Sequence, residues 1–209
     1  MTSLAERFSA EAAAMSWAEA LAVVLAVAYL LLAVRQNIWC WACAFVSTAL
    51  YVWLFHGASL FMESALNVFY MAMAVYGWYE WRYGGRRHAG LAVTVWPLPV
   101  HAVALGVIAA LSLATGKWLA ANTAAAYPYL DSLTTWSAVW ATFLVARKVL
   151  ENWVYWFVID AVSVWLYFSR GLPLTALLFC AYLVLIPIGF LAWRRDYARE
   201  RGHDDALPA

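Results

Sequence analysis

Seven long apolar runs take up most of the sequence, and they constrain the fold more than any other feature. Each has nearly the length of about 20 residues that a helix needs to cross a bilayer. Charged residues make up only 12% of the chain, against about 25% in soluble domains. The sequence therefore predicts an all-α membrane protein with seven transmembrane helices. The predicted spans are residues 17–34, 38–55, 60–81, 97–114, 130–146, 153–168 and 172–193.

The distribution of basic residues predicts how the helices are oriented. If the N-terminus lies outside, ten of the thirteen Lys and Arg residues fall on the cytoplasmic side, as the positive-inside rule requires. The other three are Arg7, Lys117 and Arg170. Residues 1–16 lack the basic start of a signal peptide and are predicted to be a short tail. We therefore expect a multi-pass protein of the bacterial inner (plasma) membrane, with its N-terminus outside and its C-terminus in the cytoplasm.

A weak internal repeat predicts two units of three helices. Trp39 and Trp153 are each followed by aromatic residues at +12 and +14 and by a glycine at +18. Each glycine introduces an apolar run that ends in Trp-Arg. Because a single helix separates the two units, they have the same orientation, and a substrate site between them near the midplane is expected. The predicted organisation is tail 1–16, first unit 17–81, linker with helix 4 82–129, second unit 130–193 and basic cytoplasmic tail 194–209.

A polar stripe on the sixth helix is the strongest indication of a functional site. Asn152, Trp156 and Asp160 are spaced i, i+4 and i+8, which places them on one helix face. An ionisable group inside a span costs about 2.5–3.5 kcal/mol to insert, so it predicts a function. For Asp160 three roles stay open: a counter-charge for the substrate, a protonatable coupling group, or a structural hydrogen-bond partner.

The third helix carries a second candidate wall. Asn67 and Tyr70 lie close to one face of this helix. An amide can bind donors and acceptors of a ligand, and a Trp ring attracts cations or stacks on a planar heterocycle. The alternative is that such residues only hydrogen-bond between helices. We expect Trp156, Asn152, Asp160, Asn67 and Tyr70 to bind substrate. The weaker candidates are Trp153, Trp41 and Thr142.

Enzyme and metal sites are not indicated. The sequence contains no H-E-x-x-H, no glycine-rich phosphate loop and no G-x-S-x-G elbow. A retinal protein needs a lysine in its last span, but the lysines are Lys117 and Lys148. We therefore expect a transporter without catalytic residues, metal ligands or a cofactor. The basic residues form no patch for nucleic acid, and nothing in the pattern fixes whether the chain forms a homo-oligomer.

Two blocks of the sequence resemble the PnuC family of vitamin transporters. The first comprises Leu130-Asp-Ser-Leu-Thr-Thr135, Ala146-Arg-Lys148, Glu151-Asn-Trp153, Trp156 and Asp160. The second runs from Asn67-Val-Phe-Tyr70 through Tyr76-Gly-Trp78 to Trp81. The resemblance implies a SWEET-like bundle of three, one and three helices. It also implies uptake of nicotinamide riboside or a related vitamin by facilitated diffusion, with trapping by a cytosolic kinase.

The resemblance leaves the substrate open. Members of this group are associated with thiamine, riboflavin or deoxynucleosides, and Thr142 stands where riboside carriers often have a glutamine. Nicotinamide riboside and thiamine both contain a cationic aromatic ring, which suits Trp156 with Asp160. The expectation is a uniporter in the lipid bilayer for nicotinamide riboside first and thiamine second. A proton-coupled symporter and a non-transporting receptor are the alternatives.

Overall fold

The computed structural model describes residues 13, 15–57, 61–85, 90–123, 126–169 and 173–204. Within these residues the protein is all-helical, and each of the seven predicted runs corresponds to one helix. The helices are α1 (Trp17–Val34), α2 (Trp39–Gly57), α3 (Phe61–Tyr83), α4 (Leu98–Asn122), α5 (Pro128–Ala146), α6 (Asn152–Ser169) and α7 (Pro173–Asp204). Of the basic residues used to predict the orientation, Arg7, Arg86, Arg87 and Arg170 lie outside the described residues.

Among the residues that the structure describes, four segments are long and apolar enough to cross a membrane by length and composition alone. They are α1, α2, α4 and the part of α7 from Thr175 to Arg201. The other three helices are not among these segments, and α6, for example, buries Asn152, Asp160 and Ser163 inside the protein. α4 and α7 both continue beyond their apolar runs, and α7 extends the predicted last span to Asp204.

Six of the seven helices form a closed ring. They pack on one another in the order α1, α2, α3, α5, α6 and α7, and α7 packs back on α1. α4 stands outside this ring against α5, where the Tyr129 side chain lies so close to Gly116 that a Cβ there would overlap it. The His101 ring also meets the Tyr155 hydroxyl of α6, at 3.1 Å. The fold therefore places a potential central space within the ring and separates it from α4.

The turns α1–α2 and α5–α6 have the same geometry. Gln36 and Lys148 have positive φ angles of 51° and 49°. The N–H groups of Gln36 and Lys148 donate to the carbonyls of Ala33 and Val145, at 3.0 Å in both turns. A residue with a left-handed backbone conformation follows each helix, because the chain has to reverse at once into the next helix. We call the sequence separation between Gln36 and Lys148 the repeat interval.

Four buried tryptophans form the core at one end of the ring. The ring pairs Trp41–Trp81, Trp81–Trp193 and Trp153–Trp193 have centroids 5.4, 5.9 and 5.5 Å apart and are all edge-to-face. Such aromatic pairs contribute about 0.5–1.5 kcal/mol each beyond their burial. Arg35, Arg82, Arg147 and Arg194 lie at this same end of the bundle, which we call the basic end.

These tryptophan contacts also recur at the repeat interval. The Trp41 ring fills the space above Gly77, and the Trp153 ring fills the space above Gly189. The indole N–H of Trp81 donates to the Val145 carbonyl at 3.1 Å, and that of Trp193 donates to the Ala33 carbonyl at 2.9 Å. The aromatic pattern in the sequence pairs Trp39 with Trp153, but these two residues are not separated by the repeat interval. That pairing is wrong for α2 and α6, because it is Trp41 that makes the contacts corresponding to those of Trp153.

Candidate functional site

A cavity of about 210 Å³ lies inside the ring, next to the tryptophan core. α1, α6 and α7 provide its walls, and Val145 of α5 lies at its edge. The lining residues are Ala26, Tyr29, Leu30, Ala33, Val145, Asn152, Trp153, Trp156, Asp160, Phe179, Tyr182 and Ile186. Five of these twelve residues are aromatic, one is acidic and none is basic. The cavity is therefore suited to a flat aromatic ligand, with one carboxyl group in its lining.

The polar stripe of α6 lines this cavity. Asn152 is fully buried at the start of the helix, and its Nδ2 donates to the Val149 carbonyl at 2.6 Å. Asp160 is 3% exposed, two turns further along the same face. Trp156 lies between them, and Trp153 follows Asn152 directly. The helix period thus places Asn152, Trp156 and Asp160 on one wall, as the sequence predicts, and Trp153 also lines the cavity.

Two atoms on this wall lack a hydrogen-bond partner within the described residues. They are Asn152 Oδ1, an acceptor, and Trp153 Nε1, a donor, and both are buried. A buried polar group without a partner costs about 1–3 kcal/mol. Both atoms are covered by other protein atoms, so a ligand in the cavity would meet them only when the surrounding side chains move.

The opposite wall consists of residues that the sequence analysis did not single out. Tyr29 of α1 and Phe179, Tyr182 and Ile186 of α7 face the α6 stripe across the cavity. Single tyrosines in long apolar helices look like ordinary packing residues. The internal repeat could have identified Tyr182 as a site residue, because it lies one repeat interval after the predicted site residue Tyr70.

The other four predicted residues lie outside the lining of this cavity. Tyr70 packs on Ala138, Ala141 and Ile159 beside Trp156. Trp41 is buried in the tryptophan core, and Thr142 donates its hydroxyl to the Ala138 carbonyl at 2.7 Å. Asn67 is half-buried on α3. The structure therefore brings four of the eight candidates together in the cavity lining and leaves these four outside it.

The repeat interval relates the four predicted residues outside the cavity to residues that line it. Each of the four is separated by this interval from one lining residue. The pairs are Trp41 with Trp153, Asn67 with Phe179, Tyr70 with Tyr182 and Thr142 with Leu30.

A second, larger hollow of about 800 Å³ lies between α3, α4 and α5. Its lining is aliphatic and aromatic, with Phe69, Val103, Leu111 and Phe143 among the contributors. It lacks the charged and amide groups that would orient a polar ligand. Within the described residues, no group of three His, Cys, Asp or Glu side chains could hold a metal ion. The cavity inside the ring is therefore the candidate site.

Comparisons with known proteins agree with this geometry. Residues 16–195 match the family model described as "Nicotinamide mononucleotide transporter". The riboflavin/roseoflavin transporter RibM of Streptomyces davaonensis is 27% identical, over 86% of this chain and 87% of its own length. The nicotinamide riboside transporter PnuC of Escherichia coli is 25% identical, over 90% of this chain and 89% of its own length.

One solved structure shows the same fold. The crystal structure of the vitamin B3 transporter PnuC superimposes with a TM-score of 0.70, at 21% identity, over 88% of this chain and 83% of that one. The apolar helices and these matches together identify a multi-pass membrane protein.

Proposed function

The chain belongs to the nicotinamide mononucleotide transporter family, and we propose on this basis that it carries a cationic aromatic vitamin across the bacterial inner membrane. Nicotinamide riboside is the first candidate and thiamine the second. The observation that carries the proposal is the cavity inside the ring, where Trp156 and Asp160 lie on the same wall. The function is uptake by a carrier and not catalysis.

The lining of the cavity favours a cation over a neutral ring. A cation over an aromatic face gains about 0.5–1 kcal/mol at an exposed site and about 2 kcal/mol or more when desolvated. The Asp160 carboxylate adds an attractive charge, and no lining residue is basic. Asn152 Oδ1 and Trp153 Nε1 are a buried acceptor and a buried donor, and the carboxamide of nicotinamide or the aminopyrimidine of thiamine would pair with them once the side chains that cover them move.

Riboflavin is the second class of substrate to test, because the chain is 27% identical to a riboflavin/roseoflavin transporter. A flavin ring stacks on indoles as well as a pyridinium does, and its imide edge also offers a donor between acceptors. It carries no positive charge for Asp160. The dependence of binding on the Asp160 carboxylate therefore distinguishes a cationic vitamin from a flavin as the substrate.

The constant repeat interval supports a bundle of three, one and three helices. We assign α1–α3 and α5–α7 to two equivalent units with the same orientation and α4 to the connection between them. The interval relates the two turns, the two ring-closing indole bonds and the two Trp–Gly contacts. The concentration of arginines at the basic end supports a cytoplasmic location for that end. The N-terminus then lies outside.

The proposed transport cycle is a rocking movement of one unit against the other about the central cavity. A carrier of this kind needs no ion or nucleotide and only equilibrates its substrate across the membrane. Net accumulation then requires a cytosolic kinase, whose phosphorylated product is too charged to return. Uptake is thus linked to phosphorylation in the cytosol, and the chain itself needs no site for a coupling ion.

A binding screen with purified protein tests the proposed substrate class. Nicotinamide riboside, thiamine, riboflavin and a deoxynucleoside are titrated against the wild type and Asp160→Asn by calorimetry. The cationic vitamins are expected to bind the wild type best. The amide is expected to weaken their binding about tenfold or more, corresponding to about 1.4 kcal/mol, and to leave a neutral ligand nearly unchanged. Preferential binding of riboflavin that is indifferent to Asp160→Asn would assign the chain to the second class.

A further inference from the structure

The ring contains two seams at which the proposed three-helix units meet, α3–α5 and α7–α1. At the basic end both seams are closed by an indole N–H bond to a backbone carbonyl. Trp81 donates to Val145 at 3.1 Å, and Trp193 donates to Ala33 at 2.9 Å. Apart from these two equivalent bonds the seams differ, and each difference makes the α7–α1 seam the weaker one.

The α3–α5 seam is packed and bridged by charge. Arg147 Nη1 lies 3.0 Å from Glu80 Oε2 and 3.4 Å from the Tyr76 hydroxyl. The Tyr76 and Phe143 rings stack with an interplanar angle of 7°. Further from the basic end, Tyr70 fills the space against Ala138 and Ala141. Charge-assisted bonds are about twice as strong as neutral ones. The hollow of about 800 Å³ between α3, α4 and α5 lies on the α4 side of this seam and not within the ring.

The α7–α1 seam is interrupted by the cavity. Tyr29 and Ala33 of α1 and Tyr182 and Ile186 of α7 line this cavity, so they face an open space where the other seam is packed. At the basic end, Gln36 and Asp196 join the two sides, with 2.7 Å between Nε2 and Oδ2. Only one partner of this bond is charged, whereas both partners of the Arg147–Glu80 pair are. The α7–α1 seam is therefore the weaker of the two.

α7 also has a built-in point of flexibility at the level of the cavity. Pro187 follows the lining residue Ile186 and has no N–H to donate to the Leu183 carbonyl. Prolines are a common cause of sharp bends in long helices. The equivalent residue of α3, one repeat interval earlier, is Val75, which has an N–H to donate. The helix beside the cavity can therefore bend more easily than its equivalent in the other unit.

We propose that the ring opens at the α7–α1 seam, with α7 bending at Pro187, and that the α3–α5 seam stays closed and acts as the hinge. The inference rests on the proposed transport function and specifies where its pathway runs. The cavity reaches the basic end when Gln36 separates from Asp196 and the Trp193 indole leaves the Ala33 carbonyl. Arg147 and Glu80 stay together throughout.

Cross-linking across each seam in turn tests the proposal. Cysteine pairs are introduced as Gln36→Cys with Asp196→Cys, and as Glu80→Cys with Arg147→Cys. Each pair is bridged by a short bifunctional thiosulfonate, and uptake of nicotinamide riboside and thiamine into proteoliposomes is measured. Bridging the α7–α1 seam is expected to reduce uptake at least tenfold, and a reductant is expected to restore it. Bridging the α3–α5 seam is expected to leave uptake within about twofold of the unbridged protein.

Single-cysteine variants treated with the same reagent control for labelling and for the native Cys40, Cys43 and Cys180. Full uptake with the α7–α1 seam bridged, or loss of uptake with only the α3–α5 seam bridged, would overturn the proposal. If no unbridged variant takes up any vitamin, it is the transport function that has failed. Spin labels on the same two pairs then test which seam opens without any measurement of transport. The distance between positions 36 and 196 is expected to be broadly distributed, and that between positions 80 and 147 is expected to be narrowly distributed. Equal widths would contradict the inference.

Discussion

Trp156 occupies the central position on the α6 wall, one helical turn from both Asn152 and Asp160. Its indole lines the cavity and also packs on the Ala138–Ala141–Ile159 cluster behind it. The ring is therefore held by the protein on one side and free to meet a ligand on the other. A side chain that is fixed before the ligand arrives loses little conformational entropy on binding.

Replacing Trp156 with Ala is expected to weaken vitamin binding at least tenfold, because both the stacking surface and the cation–π attraction are lost. Titration calorimetry with the best ligand measures the change. Trp165→Ala is the matched control, since Trp165 lies on the same helix, is 54% exposed and does not line the cavity. Equal affinity in the wild type and Trp156→Ala would show that the ligand binds elsewhere.

The sequence predicts the α6 side of the site well and the α1 and α7 side poorly. Polar residues at i, i+4 and i+8 have to share a helix face, so Asn152, Trp156 and Asp160 line one wall whatever the neighbouring helices are. Tyr29 and Tyr182 face the cavity because α7 packs back on α1, a contact between the two ends of the chain. No local pattern encodes that contact. The position of Tyr70 is equivalent to that of Tyr182 but is packed.

At the scale of the helices, small residues set how closely neighbours approach. Trp41 of α2 lies over Gly77 of α3, and Trp153 of α6 lies over Gly189 of α7. The bounds of the helices follow largely from hydropathy, except at the C-terminal ends of α4 and α7, where the helix continues past the apolar run. The packing partners do not follow from hydropathy, because a glycine in an apolar run is compatible with many contacts.

Gly77→Ala and Gly189→Ala are each expected to destabilise the protein by about 1–3 kcal/mol, the usual cost of overpacking. The added methyl group would overlap the Trp41 or Trp153 ring. Thermal unfolding in detergent is the measurement, and similar losses of Tm are expected because the two contacts are equivalent. Gly106→Ala in α4 is the control: nothing lies near its Cβ position, so a better helix former adds stability. A Tm unchanged by either core substitution would contradict the Trp–Gly packing.

For the whole molecule, the open question is how transport is driven, and the one acidic residue in the described lining of the cavity is the group to test. That residue is Asp160, and the proposed uniporter needs no proton on it for turnover. Uptake into proteoliposomes is therefore expected to stop at equal concentrations inside and outside, with or without an imposed pH gradient. The control is Asp160→Asn under the same gradient. Accumulation above equilibrium that depends on the gradient and disappears in the amide variant would make the protein a proton-coupled symporter.

The constant repeat interval has a consequence for the history of the chain. A tandem duplication leaves such an interval when neither copy has since gained or lost a residue between its matched positions. Here it holds from Ala33 and Val145 to Trp81 and Trp193, although most side chains between them have diverged. A half-length ancestor of three helices would have exposed both of its seams, and pairing with a second copy would have closed the same ring. Under the proposed arrangement of three, one and three helices, the ring is a former homodimer, and α4 is the part added so that the two fused copies kept a common orientation.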